Sequence, residues 1–481
     1  MSHCWRLDDG RQTLVLATKG DLLPQVVYWG KPLPISDTSA VLATAHQQDF
    51  TGGMLDGNPD LSLCPEASQT FPGQPGLRCR NTQGALLHPK FRFLSAEEST
   101  NNLVLTYQDT ALSITYEANF ALTPQTGLII AWARLTSTKP IWLQWLAAPV
   151  FPAPQNSSEM LDVSGRWISE FQINKVQWSA GIHLRESRTG RSGHEHFPGL
   201  VIPEFGANNT TGQAYGFHYG WSGGHKMIAE ELPDGRRQVQ FGNATDSEPT
   251  ARLQYETAKL YAVFSDQGLN GCAVAFQRHL RDHIVHFAKA AMPRPVHYNC
   301  WEAIYFDHDI SVLKQIATKA KSLGAERFVL DDGWFGHRDD DTTSLGDWQI
   351  DSRKYPDGLG PIVDHVSSLG MQFGLWFEPE MVSPKSALFR AHPDWVLGPE
   401  DQLLGRKQMV LDISLQEVSE YLFNSIAALL RKYDITYIKW DHNRVLPISD
   451  ADQTRASYAL LARLQVDFPH VEIETCASGG G

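Results

Sequence analysis

The chain has 481 residues, 42% of them hydrophobic and 20% charged, which describes a soluble globular protein large enough for two or three domains. A formal net charge of −13 argues against nucleic-acid and anionic-membrane partners, which require basic faces, and favours a neutral ligand. The opening residues lack a basic head followed by an apolar run, no segment approaches the ~18 apolar residues of a membrane span, and the six cysteines show no Cys-x-x-Cys spacing. The reading is a cytoplasmic protein with free thiols.

Up to about residue 287, short alternating runs are broken by Gly, Pro and Asn; 102–107 and 111–116 are examples. Strands at this spacing predict a large β-sandwich. A helix is predicted over about 271–289, where Val274, Phe276, His279, Leu280 and His283 recur at helical spacing, and it reads as a linker at the end of a first domain, 1–287. From 290 the rhythm becomes strand, loop, helix, strand, the signature of a parallel α/β architecture. Strands are predicted at 296–301, 327–331, 372–377, 436–440 and 471–475, with helices at 311–323 and 360–369 closed by Gly324 and Gly370. Residues 409–413 also look like a strand.

The chemistry collects at the carboxyl ends of these strands, where a barrel gathers its active site. In Tyr437-Ile438-Lys439-Trp440-Asp441-His442-Asn443-Arg444 the strand period turns Lys439, Asp441 and Asn443 the same way. A lysine beside an aspartate favours its ionised form, as a nucleophilic carboxylate needs. Asp331 and Asp332 follow a run of buried-type residues, and Trp301 and Trp376 stand near successive strand tips, where two indoles form a stacking wall. His194-Glu195-His196 lacks further ligands for a metal, and Asp339-Asp340-Asp341 lacks the spacing of a calcium loop. No cofactor is implied.

Asn299-Cys300-Trp301-Glu302-Ala303, Leu330-Asp331-Asp332-Gly333-Trp334-Phe335-Gly336, Gly374 through Met381, Tyr437 through Arg444 and Cys476-Ala477-Ser478-Gly479-Gly480-Gly481 together resemble the family-36 glycoside hydrolases, the bacterial α-galactosidases. In the first domain Gly165-Arg166-Trp167-Ile168-Ser169-Glu170, Ser187 through Ser192 and Gly216 through Gly223 are similar to that family's β-supersandwich. The resemblance implies a multidomain fold, a β-supersandwich followed by a (β/α)8 catalytic barrel. It implies a retaining hydrolase of terminal α-galactosyl residues in melibiose- and raffinose-type oligosaccharides, assembling as a homo-oligomer, a tetramer or dimer. By position Asp441 is the nucleophile that forms a galactosyl-enzyme intermediate. Asp331 and Asp332 hold ring hydroxyls, Lys439, Asn443, Cys476 and Gly479 contact the sugar, Trp301 and Trp376 form the wall, and Arg406 completes the pocket. The family places 409–413 in an insertion before the fourth barrel strand.

Two departures stand out. Residues 63–78 differ from the loop with which many relatives reach a neighbouring subunit's site. The second carboxylate of a retaining mechanism lies, in the family, beyond the Cys-x-Ser-Gly-Gly-Gly run, so the chain reads as a fragment holding strands 1–5 of the barrel. Glu302, Glu378, Glu380 and Glu474 show no spacing that marks a substitute. An α-N-acetylgalactosaminidase, a galactosyl-transferring relative and a non-catalytic galactoside-binding fragment remain open at this point. Residues 1–481 alone are expected to lack useful turnover of raffinose, since losing a general acid lowers rates by about 10²–10⁴-fold. Robust melibiose hydrolysis by the purified chain would overturn this.

Overall fold

A computed structural model describes residues 3–47, 55–287 and 292–477. The chain divides into two compact units, one of residues 1–285 with 449–451 and one of 286–448 with 452–481.

The N-terminal unit is antiparallel. A twelve-stranded sheet runs from Ser169–Gln177 through the 19-residue strand Leu128–Leu146 to Arg92–Glu98, beside smaller sheets of three and four strands. The alternation expected over 102–107 is present: in Asn102–Asp109 the residues Leu103, Leu105 and Tyr107 are buried, and in the paired strand Ile114–Thr123 so are Ile114, Tyr116, Ala118, Phe120 and Leu122. The second run begins later than its pattern suggested. Residues 111–113 turn the hairpin, with the Asp109 carboxylate accepting the Leu112 N–H at 2.8 Å and Ser113 at φ 55°.

The helix expected over about 271–289 is instead Gly268–His279 followed by a π-helical turn, Leu280–Ile284. Cys272 and His279 face inward, while Val274 and Leu280, assigned to the apolar face by spacing, are 40% and 50% exposed. The small residues Gly268 and Cys272 mark the packed side, which a search for large apolar residues overlooks. Residues 288–289 of that expectation lie outside the described residues.

Asp162 ties two sheets of this unit together. Fully buried on Glu159–Arg166, it accepts hydrogen bonds from Asn174 (2.9 Å) in its own sheet and from His183 (2.7 Å) and Arg185 (2.6 and 3.2 Å) on Gly181–Glu186 of the other.

The C-terminal unit is built on five parallel strands: β1 (His297–Asn299), β2 (Arg327–Leu330), β3 (Gln372–Phe377), β4 (Tyr437–Asp441) and β5 (Glu472–Cys476), each paired with the next in chain order. Sequential order without reversal belongs to a singly wound (β/α) arc, whereas a doubly wound sheet reverses its strand order. The central strands are buried on both faces, as Phe328, Val329 and Leu330, and Leu375, Trp376 and Phe377 attest. Gly374 lets β3 and β4 approach, since a Cβ there would meet Tyr437 Cδ1 at 2.8 Å. Helix α1 (Ile310–Ser322) is capped by Asp309, which accepts the N–H groups of Ser311 and Val312, and α2 (Gly360–Ser368) precedes β3. Helix α3 (Gln416–Lys432) buries Val418, Leu422, Phe423, Ile426 and Leu430 ahead of β4, and α4 (Ala451–Asp467) leads into β5. None of the described helices is long and apolar enough to cross a membrane.

The first parallel strand is shorter than the run 296–301 implied. It stops at Asn299, whose side chain accepts the Trp301 N–H at 2.8 Å and starts a helical turn, Trp301–Ile304. Met409–Val410 is a strand, but it pairs antiparallel with Met381–Val382 in a separate two-stranded sheet.

The Asp162 cluster yields a pH-dependent prediction. Burial alone would raise this carboxyl, but the bonds from His183, Arg185 and Asn174 hold it well below the usual carboxylate range. Because the folded value lies below the unfolded value of about 3.9, the stabilisation is complete above that pH and is lost as pH falls toward the folded value. Urea unfolding at neutral pH should show Asp162→Ala less stable by about 3 kcal/mol. The difference from wild type should narrow below about pH 4; an unchanged difference would contradict the assignment.

Candidate active site

The strands β2, β3 and β4 bring four carboxyl groups to one end of the sheet: Asp331, Asp332, Glu378 and Asp441, all at most 6% exposed. Such a concentration of negative charge away from water folds only if each group finds its own partner.

Asp441, the last residue of β4, is held by three N–H groups. Its Oδ2 accepts from Asn443 Nδ2 at 2.7 Å and Trp376 Nε1 at 3.1 Å, and its Oδ1 from the His442 backbone N–H at 3.0 Å. Trp376, expected to form a stacking wall with Trp301, thus has its indole nitrogen bonded to Asp441. Its ring is 2% exposed and stacks within 7° of parallel on Phe335, and its indole nitrogen orients Asp441. Asn443 sits beyond the strand end, where the turning chain points its amide back onto Asp441.

Lys439 also finds a different partner. Two residues from Asp441 in sequence, it bonds Asp331 across the sheet at 2.9 Å. Burial opposes the Lys439 charge, yet Asp331, with a smaller contribution from Asp441, holds the ammonium above its ordinary value. Asp331 Oδ2 also accepts from the Asn299 amide and its Oδ1 from the Asp332 N–H at 2.9 Å.

Asp332 is locked in a buried ion pair. Arg338, 1% exposed, reaches it with Nε at 3.0 Å and Nη2 at 2.9 Å, while Nη1 donates to the Thr343 carbonyl at 2.8 Å. Burial pushes the Asp332 carboxyl up, so its ionised form depends on the guanidinium that opposes the shift. The intervening loop is closed by Lys354 Nζ, which donates to the carbonyls of Phe306, Gly333 and Arg338. Gly333, at φ 112°, could not carry a Cβ without meeting His308 Nε2 at 2.8 Å.

Glu378 caps β3. Its Oε1 accepts the Asn443 backbone N–H at 2.7 Å and its Oε2 the Gln408 amide at 2.9 Å. Glu380 accepts from Trp440 Nε1 at 3.1 Å and Ser457 Oγ at 2.9 Å, joining β4 to α4.

Trp301 is partly exposed and meets Tyr305 and Phe306 edge-on at 5.0 and 5.1 Å between ring centroids. It lines, with Asn299, Lys439, Glu474 and Cys476, a cavity of about 290 Å³. Cys476 faces Asp441 across the β4–β5 register. Arg406 stands exposed on the turn Gly405–Gln408, at φ 48° next to Lys407 at 64°, without a hydrogen bond to these carboxylates. Gly479 lies outside the described residues.

Three further groups belong to this assembly: Asn299, Arg338 and Glu378. Asn299 and Glu378 lie inside segments already singled out, while Arg338 adjoins a run of aspartates that reads as a solvated loop. The available signal was charge balance, since two adjacent aspartates behind a buried strand require two counter-ions.

Comparison with known proteins places this (β/α) arc and its carboxyl cluster in a family. The Melibiase family model matches residues 254–481, and the model of the glycosyl hydrolase family 36 N-terminal domain matches 22–254. An alpha-galactosidase of Escherichia coli is 38% identical across 100% of this chain and 69% of its own length. Alpha-galactosidase Mel36A of Lactobacillus acidophilus is 32% identical across 91% of this chain and 62% of its own length. Alpha-galactosidase AgaB from Geobacillus stearothermophilus superposes with a TM-score of 0.90 at 28% identity, covering 99% of this chain and 72% of AgaB. A variant of AgaA from the same organism, solved with raffinose, gives 0.91 at 28% identity, covering 99% of this chain and 73% of its own. The chain belongs to glycosyl hydrolase family 36.

The ion pair at Asp332 is directly testable. Arg338→Met should destabilise the protein by about 3–5 kcal/mol, because it strands a buried carboxylate. Adding Asp332→Asn should recover part of that loss in urea unfolding; a double variant no more stable than Arg338→Met would refute the pairing.

Proposed function

We propose that this chain carries the nucleophile and galactose-binding face of a retaining α-galactosidase acting on terminal α-galactosyl residues of melibiose- and raffinose-type oligosaccharides. The observation that carries this reading is Asp441: a buried carboxylate at a strand's carboxyl end, with two donors on Oδ2 and one on Oδ1. Donors fixed in this way stabilise the anion and aim it, as an attacking carboxylate requires. The raffinose bound by the AgaA variant and the stachyose bound by another support the substrate class.

In this mechanism the less encumbered Oδ1 of Asp441 attacks the anomeric carbon as the bond to the leaving oxygen breaks, giving a galactosyl ester. Water then cleaves the ester, and the carboxylate returns. Trp376 and Asn443 hold Asp441 against rotation during both steps. Asp331 and Asp332, each fixed by its own cation, accept ring hydroxyls in directions that select the axial hydroxyl of galactose; an epimer that leaves them unpaired binds less well. Lys439, Trp301 and Cys476 border the sugar, and Arg406 approaches from its turn. A second carboxylate must protonate the leaving oxygen and later activate water. As the family resemblance implies, we place this acid/base outside the described residues.

A ring-fluorinated galactosyl fluoride tests the nucleophile separately from the acid, because fluoride departs without protonation. Peptide mass mapping should find one galactosyl adduct, on Asp441, and none in Asp441→Asn. In an enzyme with turnover, that substitution should lower kcat/KM by about 10⁴-fold or more. An adduct elsewhere, or labelling that survives the substitution, would sink the assignment.

A further inference from the structure

Counting charges around Asp441 leaves one carboxyl unaccounted for. Among the described residues, half-buried Lys439 is committed to Asp331 and buried Arg338 to Asp332. Asp441 is compensated by three N–H donors. Among the described residues, Glu378, 1% exposed, receives the neutral N–H groups of Asn443 and Gln408 and no cation's hydrogen bond. Both donors matter to the site: the amide of Asn443 grips Asp441 Oδ2, and Gln408 closes the turn that presents Arg406, its N–H donating to the Gly405 carbonyl at 2.9 Å.

Resting on the reading of Asp441 as nucleophile, we propose that Glu378 is a positioning residue that stays protonated while Asp441 is ionised, and that this neutral carboxyl ties the nucleophile to the turn carrying Arg406. Two ionised carboxyls sharing one buried site would repel, whereas a carboxylic acid both accepts and donates. Its carbonyl oxygen accepts the Asn443 N–H. Its hydroxyl donates to the Gln408 side-chain oxygen once that amide is turned end for end, which places Gln408 Nε2 where Oε1 now has no partner among the described residues. The environment agrees: burial first, then the charge of Asp441, pushes the Glu378 carboxyl up to about 8. Asp332 adds to that effect, while Arg406 opposes it, and Arg338 also feels the Glu378 charge. As an acid, Glu378 sets the entry direction of Asn443, and thereby the aim of Asp441, without adding a second negative charge beside the nucleophile.

Infrared difference spectroscopy and galactosyl labelling test this together. Near pH 7 the wild-type protein should show the carbonyl stretch of a buried protonated carboxyl, absent in Glu378→Gln and titrating away at alkaline pH. Labelling of Asp441 by the fluorinated galactosyl fluoride should slow by about a hundredfold in Glu378→Ala, because the nucleophile loses its orientation. Glu378→Gln, which also accepts with one atom and donates with the other, should rescue the rate to within about threefold of wild type. A correct adduct on Asp441 with no carboxyl band, or a loss of about tenfold or more in Glu378→Gln, overturns the Glu378 proposal alone. An adduct mapping away from Asp441 in the wild-type protein overturns the nucleophile reading on which it rests.

Discussion

The controlling constraint in the C-terminal unit is the placement of four carboxyl groups at the ends of three adjacent, nearly dry strands. Parallel strands buried on both faces offer little water to solvate a charge, so each ionised group must be compensated by a partner supplied from the fold. Lys439 crosses from β4 to Asp331, and Arg338 returns from the following loop to Asp332. Indole, amide and backbone N–H groups converge on Asp441. These assignments hold β2, β3 and β4 in register at the end where chemistry would occur.

The pairing also gives each carboxylate a distinct character. Asp332 is immobilised by a planar guanidinium that occupies both of its oxygens, which suits a fixed acceptor. Asp441 is bound through N–H groups that carry no net charge, so its negative charge remains available to an electrophile. Were Lys439 bonded to Asp441 as closely as it is to Asp331, the proposed nucleophile would be partly neutralised by its neighbour; the cross-sheet pairing avoids this. Aromatic packing supports the arrangement: Phe335 and Trp348 pack on the Trp376 ring, Trp334 Nε1 donates to the Trp376 carbonyl, and together they fix the indole nitrogen that reaches Asp441.

The N-terminal unit solves a similar problem with the same economy. One buried carboxylate, Asp162, accepts bonds from its own sheet and from the four-stranded one, and the strands Asn102–Asp109 and Ile114–Thr123 follow the period-two burial written in their sequence. Irregularities occur where a short polar side chain competes with the ladder, as Asp109 does at the turn after Asn102–Asp109.

Much of this architecture was legible without coordinates. Period-two alternation located antiparallel strands such as Asn102–Asp109, apolar runs located β2 through β5, the first two after glycine-closed helices, and the motifs at their tips named Asp331, Asp332, Lys439, Asp441 and Asn443 as neighbours. Local pattern suffices there because backbone periodicity alone decides which side chains share a face or an end. It could not say that Lys439 serves Asp331, that Trp376 is buried with its nitrogen on Asp441, or that Arg338 emerges from an acidic run to become a buried counter-ion. Nor could apolar spacing find the packed side of Gly268–His279, which rests on small residues. Those outcomes depend on distances between strands and on the absence of water around them. Sequence therefore determined which groups arrive at the site, and tertiary structure decided which of them bond to one another, because the partner of a buried charge is chosen by proximity in space.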